Sequence, residues 1–235
     1  MSELLETVRL FGPALAGSVL VALACAVVGV HVVGRRIVLV GVAMPQVAAA
    51  GIGLSFLAAA VPWTAASALA WTRDHDLVAL LACAAAALAL AGRAGAPRAA
   101  GEIRTAAAFC LGGALSFLFV LGSAGGMEEV RNLVAGDVLG IHDAALGSLA
   151  LHLGPVLLLH GVLFRRFLFV SFDREMAATL GIRTGLHDLL FHAGLAVTVA
   201  RSVHAAGTLF VFAFLVLPAA GALRVSSRAG TVFAV

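Results

Sequence analysis

Seven apolar runs, bounded by charged or Gly/Pro-rich breaks, constrain this 235-residue chain more than any other feature. A bilayer core about 30 Å thick needs about 20 apolar residues per helix. The runs lie at Phe11 to Val33, Ile37 to Val61, Leu77 to Ala91, Ala106 to Ser123, Ala144 to Phe164, Leu186 to Val203 and Gly207 to Val225. The third is the least regular, because Ala65 to Trp71 is also apolar and Arg73-Asp74-His75-Asp76 interrupts it. Composition agrees: 62% of residues are hydrophobic and 11% charged, whereas a soluble domain carries about a quarter charged residues. A water-soluble fold is excluded. The expected fold is an all-α, polytopic transmembrane helical bundle of about seven spans, one domain covering residues 1–235.

Orientation follows from the arginines, since positive charge is retained on the cytoplasmic side. With the N-terminus outside, Arg35, Arg36, Arg93, Arg98, Arg104, Arg165, Arg166, Arg174, Arg183, Arg224 and Arg228 fall inside. Arg9, Arg73, Arg131 and Arg201 fall outside or near the outer edge. The N-terminal charges run opposite to a cleavable signal peptide, with Glu3, Glu6 and Arg9 before the first run and Arg35-Arg36 after it, so the first span is expected to be retained. The basic balance implies no nucleic-acid partner, because the arginines stand singly or in pairs beside apolar runs.

Other chemistries lack their residues. Cys25, Cys83 and Cys110 lie within apolar stretches with no ligand-spaced neighbours and are expected to pack, not to bridge or bind zinc. The chain has no phosphate-binding loop of the G-x-x-x-x-G-K-[ST] type and no H-E-x-x-H or G-x-S-x-G motif. It is read as a non-enzyme that binds no cofactor.

Two polar segments interrupt the spans. Arg131 to His142 mixes small, apolar and polar residues and is expected on the outer face as a short interfacial helix or turn. Arg165 to Asp188 is the longest charged island, and within it Asp173 to Gly181 has the parts of a short isolated helix. Asp173 can cap its first turn, and Gly181 can end it in a left-handed conformation. Ala177 and Ala178 would let another surface approach, while Met176 and Leu180 form an apolar stripe at i and i+4. These features suit a handle gripped by a cytoplasmic partner and equally an ordinary capped connector.

Four pieces carry a family resemblance: GRRIVLVGVAMPQVAAAGIGL after the first span, AGDVLGIHDAAL before the fifth, FDREMAATLGI in the island and AAGTLFVFAFLVLPAAGALRV in the last span. In that order and spacing the chain resembles, over nearly its whole length, the permeases of ATP-binding-cassette importers for zinc, manganese and related divalent metals. The resemblance implies a type II importer-like fold and a homodimer in the inner (plasma) membrane, embedded in lipid. It implies an extracytoplasmic substrate-binding protein and a separate cytoplasmic ATPase carrying ATP and Mg. It makes residues 171–183 the coupling segment, with Asp173, Arg174, Glu175, Ala177, Ala178, Leu180 and Gly181 facing or shaping the ATPase contact. Family members commonly continue past the point matching Ser227 with one or two more spans, whereas this chain stops at Val235.

The second and last spans are the candidate transport pathway. Ala49 and Gly53 have the small-xxx-small spacing of closely packed helices, and Pro45 is expected to bend or break its helix. Gly207 and Pro218 repeat the theme, and broken helices at membrane depth are tolerated against protein or a wet cavity. Pathway candidates are Gly41, Val42, Pro45, Gln46, Gly207 and Pro218, each proline being equally readable as a structural kink. The resembled permeases usually place aspartate and histidine where this chain has Val42 and Gln46. Valine cannot ligate a metal and glutamine is a weak neutral ligand.

Asp188 and His192, four apart with His187 nearby, offer either a metal pair or an interfacial ion pair or hydrogen bond. His152 and His160 share roughly one helical face, and an ionisable group inside a membrane is a functional candidate. The alternative is hydrogen-bonded packing histidines. His31, His75, His142 and His204 lie near span ends and receive no role. A rival to the permease reading is an ATPase-independent secondary transporter or proton-coupled carrier using Asp188, His192, His152 and His160 as a relay. A membrane-embedded enzyme would need a nucleophile and base at plausible spacing, and none is found.

Overall fold

The computed structural model describes residues 2–60, 70–91, 98–122 and 126–225. Val61, residues 65–69, Arg93, Ser123, Ser227 and Arg228 lie outside the described residues, as do the side chains of Arg9, Arg98, Arg174 and Arg224. The elements are α1 (Ser2–Gly34), α2 (Val38–Ala60), α3 (His75–Leu90), α4 (Arg98–Leu121), α5 (Gly126–Ala135), α6 (Asp143–Val162), α7 (Phe164–Phe172), α8 (Arg174–Thr179) and α9 (Thr184–Val225). Single 3₁₀ turns at Ala70–Arg73 and Val138–Gly140 precede α3 and α6.

Five of these helices, α1, α2, α4, α6 and α9, contain stretches long and apolar enough to cross a bilayer. The expected third span is the shorter α3, whose 16 residues rise about 24 Å. Asp74 caps it, accepting the amide N–H groups of Asp76 and Leu77 at 3.1 Å.

The expected sixth and seventh spans are both in α9, which is not one straight rod. Gly207 (φ 82°, ψ 164°) breaks it in a region of backbone space open essentially to glycine. Before the break, α9 runs antiparallel to α1: Asp188 pairs with Arg35, Phe191 lies against His31 and Ser202 reaches Cys25. Beyond it the direction reverses, because a Cβ on Gly29 would lie 1.9 Å from the Leu215 carbonyl oxygen. Gly29 is one turn from Cys25, while a straight helix would carry Leu215 about 20 Å past Ser202.

Small residues let these backbones close. A Cβ on Gly112 of α4 would sit 3.0 Å from the Gln46 carbonyl carbon of α2, and one on Gly53 would press on Val120, Phe119 and Ser116. The core lies where α1, α2, α3, α6 and α9 converge, around Met44, Ile52, Leu153, Leu195 and Leu215. Cys25 and Cys83 are buried and free, as expected of packing residues; Cys110 is exposed on α4.

Two expectations change. Neither proline breaks its helix: α2 is continuous through Pro45 and α9 through Pro218. Pro45 is buried in the bundle, where neighbouring helices hold the chain despite one lost hydrogen bond. The segment from Arg131 to His142 is not a surface feature throughout: Leu133 is buried, and Gly136 meets Ala206 and Gly207 backbone to backbone.

Candidate functional site

The charged island folds as two short helices. In α8 the Asp173 carboxylate accepts the Met176 amide at 2.9 Å, and Gly181 (φ 77°) terminates the turn. The Gly181 amide donates to Ala178 and the Ile182 amide to Ala177, each at 3.0 Å, so the helix is closed at both ends without a neighbour's help. Ala177 is fully buried against the chain itself, so the expected Ala177–Ala178 face for an incoming surface is halved. Ala178, Glu175, Met176 (54% exposed) and Leu180 (65% exposed) point outward, and the apolar stripe stands free of the fold.

Beside this segment lies a cavity of about 440 Å³ lined by Arg35, Ser171, Asp188 and His192 among others. The Arg35 guanidinium donates to Asp188 Oδ1 at 2.6 Å and to Ser171 Oγ at 3.1 Å, and stacks 4.2 Å over the Phe191 ring. His192 Nδ1 turns to the Asp188 carbonyl at 2.7 Å. Of the two readings of Asp188 and His192, metal ligation and ion pairing, the structure holds the ion pair: a guanidinium already stands where a cation would sit. Among the described residues no group of three or more His, Cys, Asp or Glu is placed to hold a metal.

Deeper between α1, α6, α7 and α9, His31 and His160 approach with ring centroids 5.6 Å apart, packed on Phe167 and Phe191. His31, assigned no role from its place near a span end, is a core residue. His160 Nδ1 is bonded to the Val156 carbonyl at 2.9 Å and His152 Nδ1 to the Ser148 carbonyl at 2.7 Å, each on its own helix.

The pathway candidates separate. Gly41 is a packing glycine whose missing side chain admits Leu215, Val216 and Val32. Pro218 is exposed and Val42 half-buried. Gln46 lines a cavity of about 180 Å³ with Ser116, Val120, Leu133 and Thr208 among others. Thr208 follows the Gly207 break directly, so the break delivers a buried hydroxyl to the cavity that Gln46 lines.

A fourth cluster was absent from the sequence reading. Asp76 of α3 pairs with Arg201 and, at 2.6 Å, with His204 Nδ1, both on α9. Arg201 also donates to Ser148 Oγ of α6 at 2.5 Å. One signal existed: Arg201 lies within an apolar run, where an ionisable group is costly and seldom idle, yet it counts in the sequence as an orientation charge.

The chain is similar to known proteins in sequence and fold. The model of the ABC 3 transport family matches residues 7–235. Over 104 residues the chain is 28% identical to a protein of Haemophilus influenzae named "Probable iron transport system membrane protein", covering 44% of this chain and 37% of that one. Over 106 residues it is 27% identical to the manganese import system permease protein ScaB of Streptococcus parasanguinis, covering 45% and 38%. A membrane protein of Synechocystis matches more broadly, at 27% identity over 207 residues, 88% of this chain and 69% of its own length. The solved structure of PsaBC from Streptococcus pneumoniae in complex with Fab superposes with a TM-score of 0.78, covering 99% of this chain and 80% of that one. At 20% identity that likeness speaks to the fold. With a family match that runs from α1 to the last residue, the chain belongs to the ABC 3 transport family.

Proposed function

We propose that the chain is the membrane-spanning subunit of an ATP-driven importer for a divalent metal ion, manganese or iron before zinc. The observation that carries the reading is α8, capped at both ends and presenting Met176, Ala178 and Leu180 outward with Ala177 as its inward anchor. Such a helix can be pushed as a rigid body by a separate ATPase, which would hold the ATP and Mg. Family membership and the iron and manganese names of two relatives support the same class.

The cargo preference rests on the cavity of Gln46. An amide and two hydroxyls, from Gln46, Ser116 and Thr208, offer neutral oxygens without thiolate or imidazole. Oxygen donors suit manganese better than zinc. The carrier alternative needs a relay of Asp188, His192, His152 and His160; instead Asp188 pairs with Arg35, and the three histidines turn Nδ1 to carbonyls of their own helices.

In this reading the end bearing α8, with Arg36, Arg165, Arg166 and Arg183, is cytoplasmic and the N-terminus is outside the inner membrane. Two copies form the pathway, and an extracytoplasmic protein delivers the ion. The test is reconstitution of the chain with the ATPase that copurifies with it, followed by uptake of radiolabelled manganese and iron. ATP-dependent uptake of either is the expected result. Uptake by the chain alone, without ATPase, would overturn the reading in favour of a carrier.

A further inference from the structure

At the end of the bundle opposite α8, polar contacts tie helices that are far apart in sequence. Asp76, in the first turn of α3, uses both carboxylate oxygens: one meets Arg201, the other His204. Arg201 reaches on to Ser148 of α6, and the neighbouring His75 meets Ser55 of α2 at 2.5 Å. Four helices thus meet in one polar cluster, where the His75 and His204 rings lie 6.2 Å apart. The Arg201 side chain is 9% exposed, whereas those of Asp76 and His204 are 36% and 46% exposed. A cavity of about 370 Å³ lies alongside, with Asp137, His142 and Ser148 in its wall.

Position distinguishes this cluster from an ordinary surface ion pair. Arg201 and His204 occupy the last turns of α9 before its reversal at Gly207, which is wedged against Gly136 without intervening side chains. The two contacts differ in what it takes to part them. The Asp76 carboxylate and His204 imidazole are both open to solvent, so this contact can be exchanged for water at little net cost. The glycine junction is close backbone packing on the buried Gly207, where separation forfeits van der Waals contact. Motion that opens this end should therefore part the polar seam and turn about the glycines.

We propose that Asp76, Arg201, His204 and Ser148 form a latch that holds this mouth closed, and that it opens when the first half of α9 swings about the Gly136–Gly207 junction during the transport cycle. Arg201 is its positioning residue, since within the cluster it bridges Asp76 of α3 and Ser148 of α6. The proposal deepens the importer reading and rests on it.

The experiment uses the complex of the full chain with its ATPase, carrying Asp76→Cys and His204→Cys in a Cys110→Ala background. Cys25 and Cys83 are fully buried and stay. Disulfide formation between the introduced pair is timed in the nucleotide-free complex and after trapping with ATP and vanadate. A latch that parts should slow crosslinking by about ten-fold in one of the two states, within the range of allosteric coupling energies. Equal rates in both states overturn the latch whether or not the complex moves a metal. Once crosslinked, the complex should hydrolyse ATP without taking up radiolabelled manganese; uptake by the crosslinked form at the rate of the unmodified complex also overturns it. Arg201→Lys, which keeps the charge, should preserve most uptake, and Arg201→Gln should not. If the unmodified complex takes up neither manganese nor iron, the cargo assignment fails, and the crosslinking rates still decide the latch.

Discussion

Gly136 and Gly207 meet with no room for a side chain on either: a Cβ on Gly136 would lie 2.1 Å from the Ala206 carbonyl oxygen, and one on Gly207 would lie 2.4 Å from the Gly136 nitrogen. Both residues also hold positive φ, 78° and 82°. This junction sets where α9 turns back and where the segment after α5 enters the bundle.

Gly207→Ala is accordingly expected to cost about 1–3 kcal/mol in backbone strain alone, with the clash against Gly136 added. Thermal unfolding in detergent should shift down by several degrees or the folded protein should be lost. Gly147→Ala is the control: it is exposed and helical with nothing within 4 Å, and is expected to be neutral or to stabilise by up to about 1 kcal/mol.

The Arg35–Asp188 pair is nearly buried, with side chains 11% and 15% exposed. Removing one member leaves a charge stranded, which costs about 3–5 kcal/mol for a buried pair. Arg35→Leu and Asp188→Leu should each lower thermal stability sharply, while the double variant should lose less than the sum. A chelator should leave the unfolding midpoint of the wild type unchanged, since a guanidinium already neutralises the Asp188 carboxylate.

On α8, inward and outward residues should part company. Ala178→Glu or Leu180→Glu should leave the chain monodisperse and as stable as wild type, because both positions are exposed, yet abolish copurification of the ATPase. Ala177→Glu should fail earlier, at folding, because that methyl is fully buried. Size-exclusion chromatography with and without the partner separates the two outcomes.

In the small cavity between α2, α4, α5 and α9, Gln46→Leu should reduce manganese uptake without releasing the ATPase. Loss of one oxygen to a desolvated cation is worth about 1–3 kcal/mol, or roughly 5–150-fold in uptake. Thr208→Val should act in the same direction. Unchanged uptake in both would move the pathway away from this cavity.

The membrane class, the apolar runs and the capped helix at Asp173 to Gly181 were legible in the chain because each depends on local properties: the length of an apolar stretch, a capping carboxylate, a glycine at the end. Residue type also marked Gly207 as a candidate break, with Pro45 and Pro218 beside it. A proline removes one hydrogen bond whatever surrounds it, and both helices run on through theirs; at Gly207 the backbone takes φ 82° and ψ 164°, and Gly136 leaves no room for a side chain there.

Pairing, by contrast, had to await the fold. Arg35 and Arg201 both count in the sequence as orientation charges, but one neutralises Asp188 and the other joins Asp76 to Ser148. Ala177 and Ala178 are adjacent and identical, yet one is buried and the other exposed. Local chemistry fixes what a residue can do within a helical turn, whereas the partner it finds depends on which distant helix the reversal of α9 brings alongside.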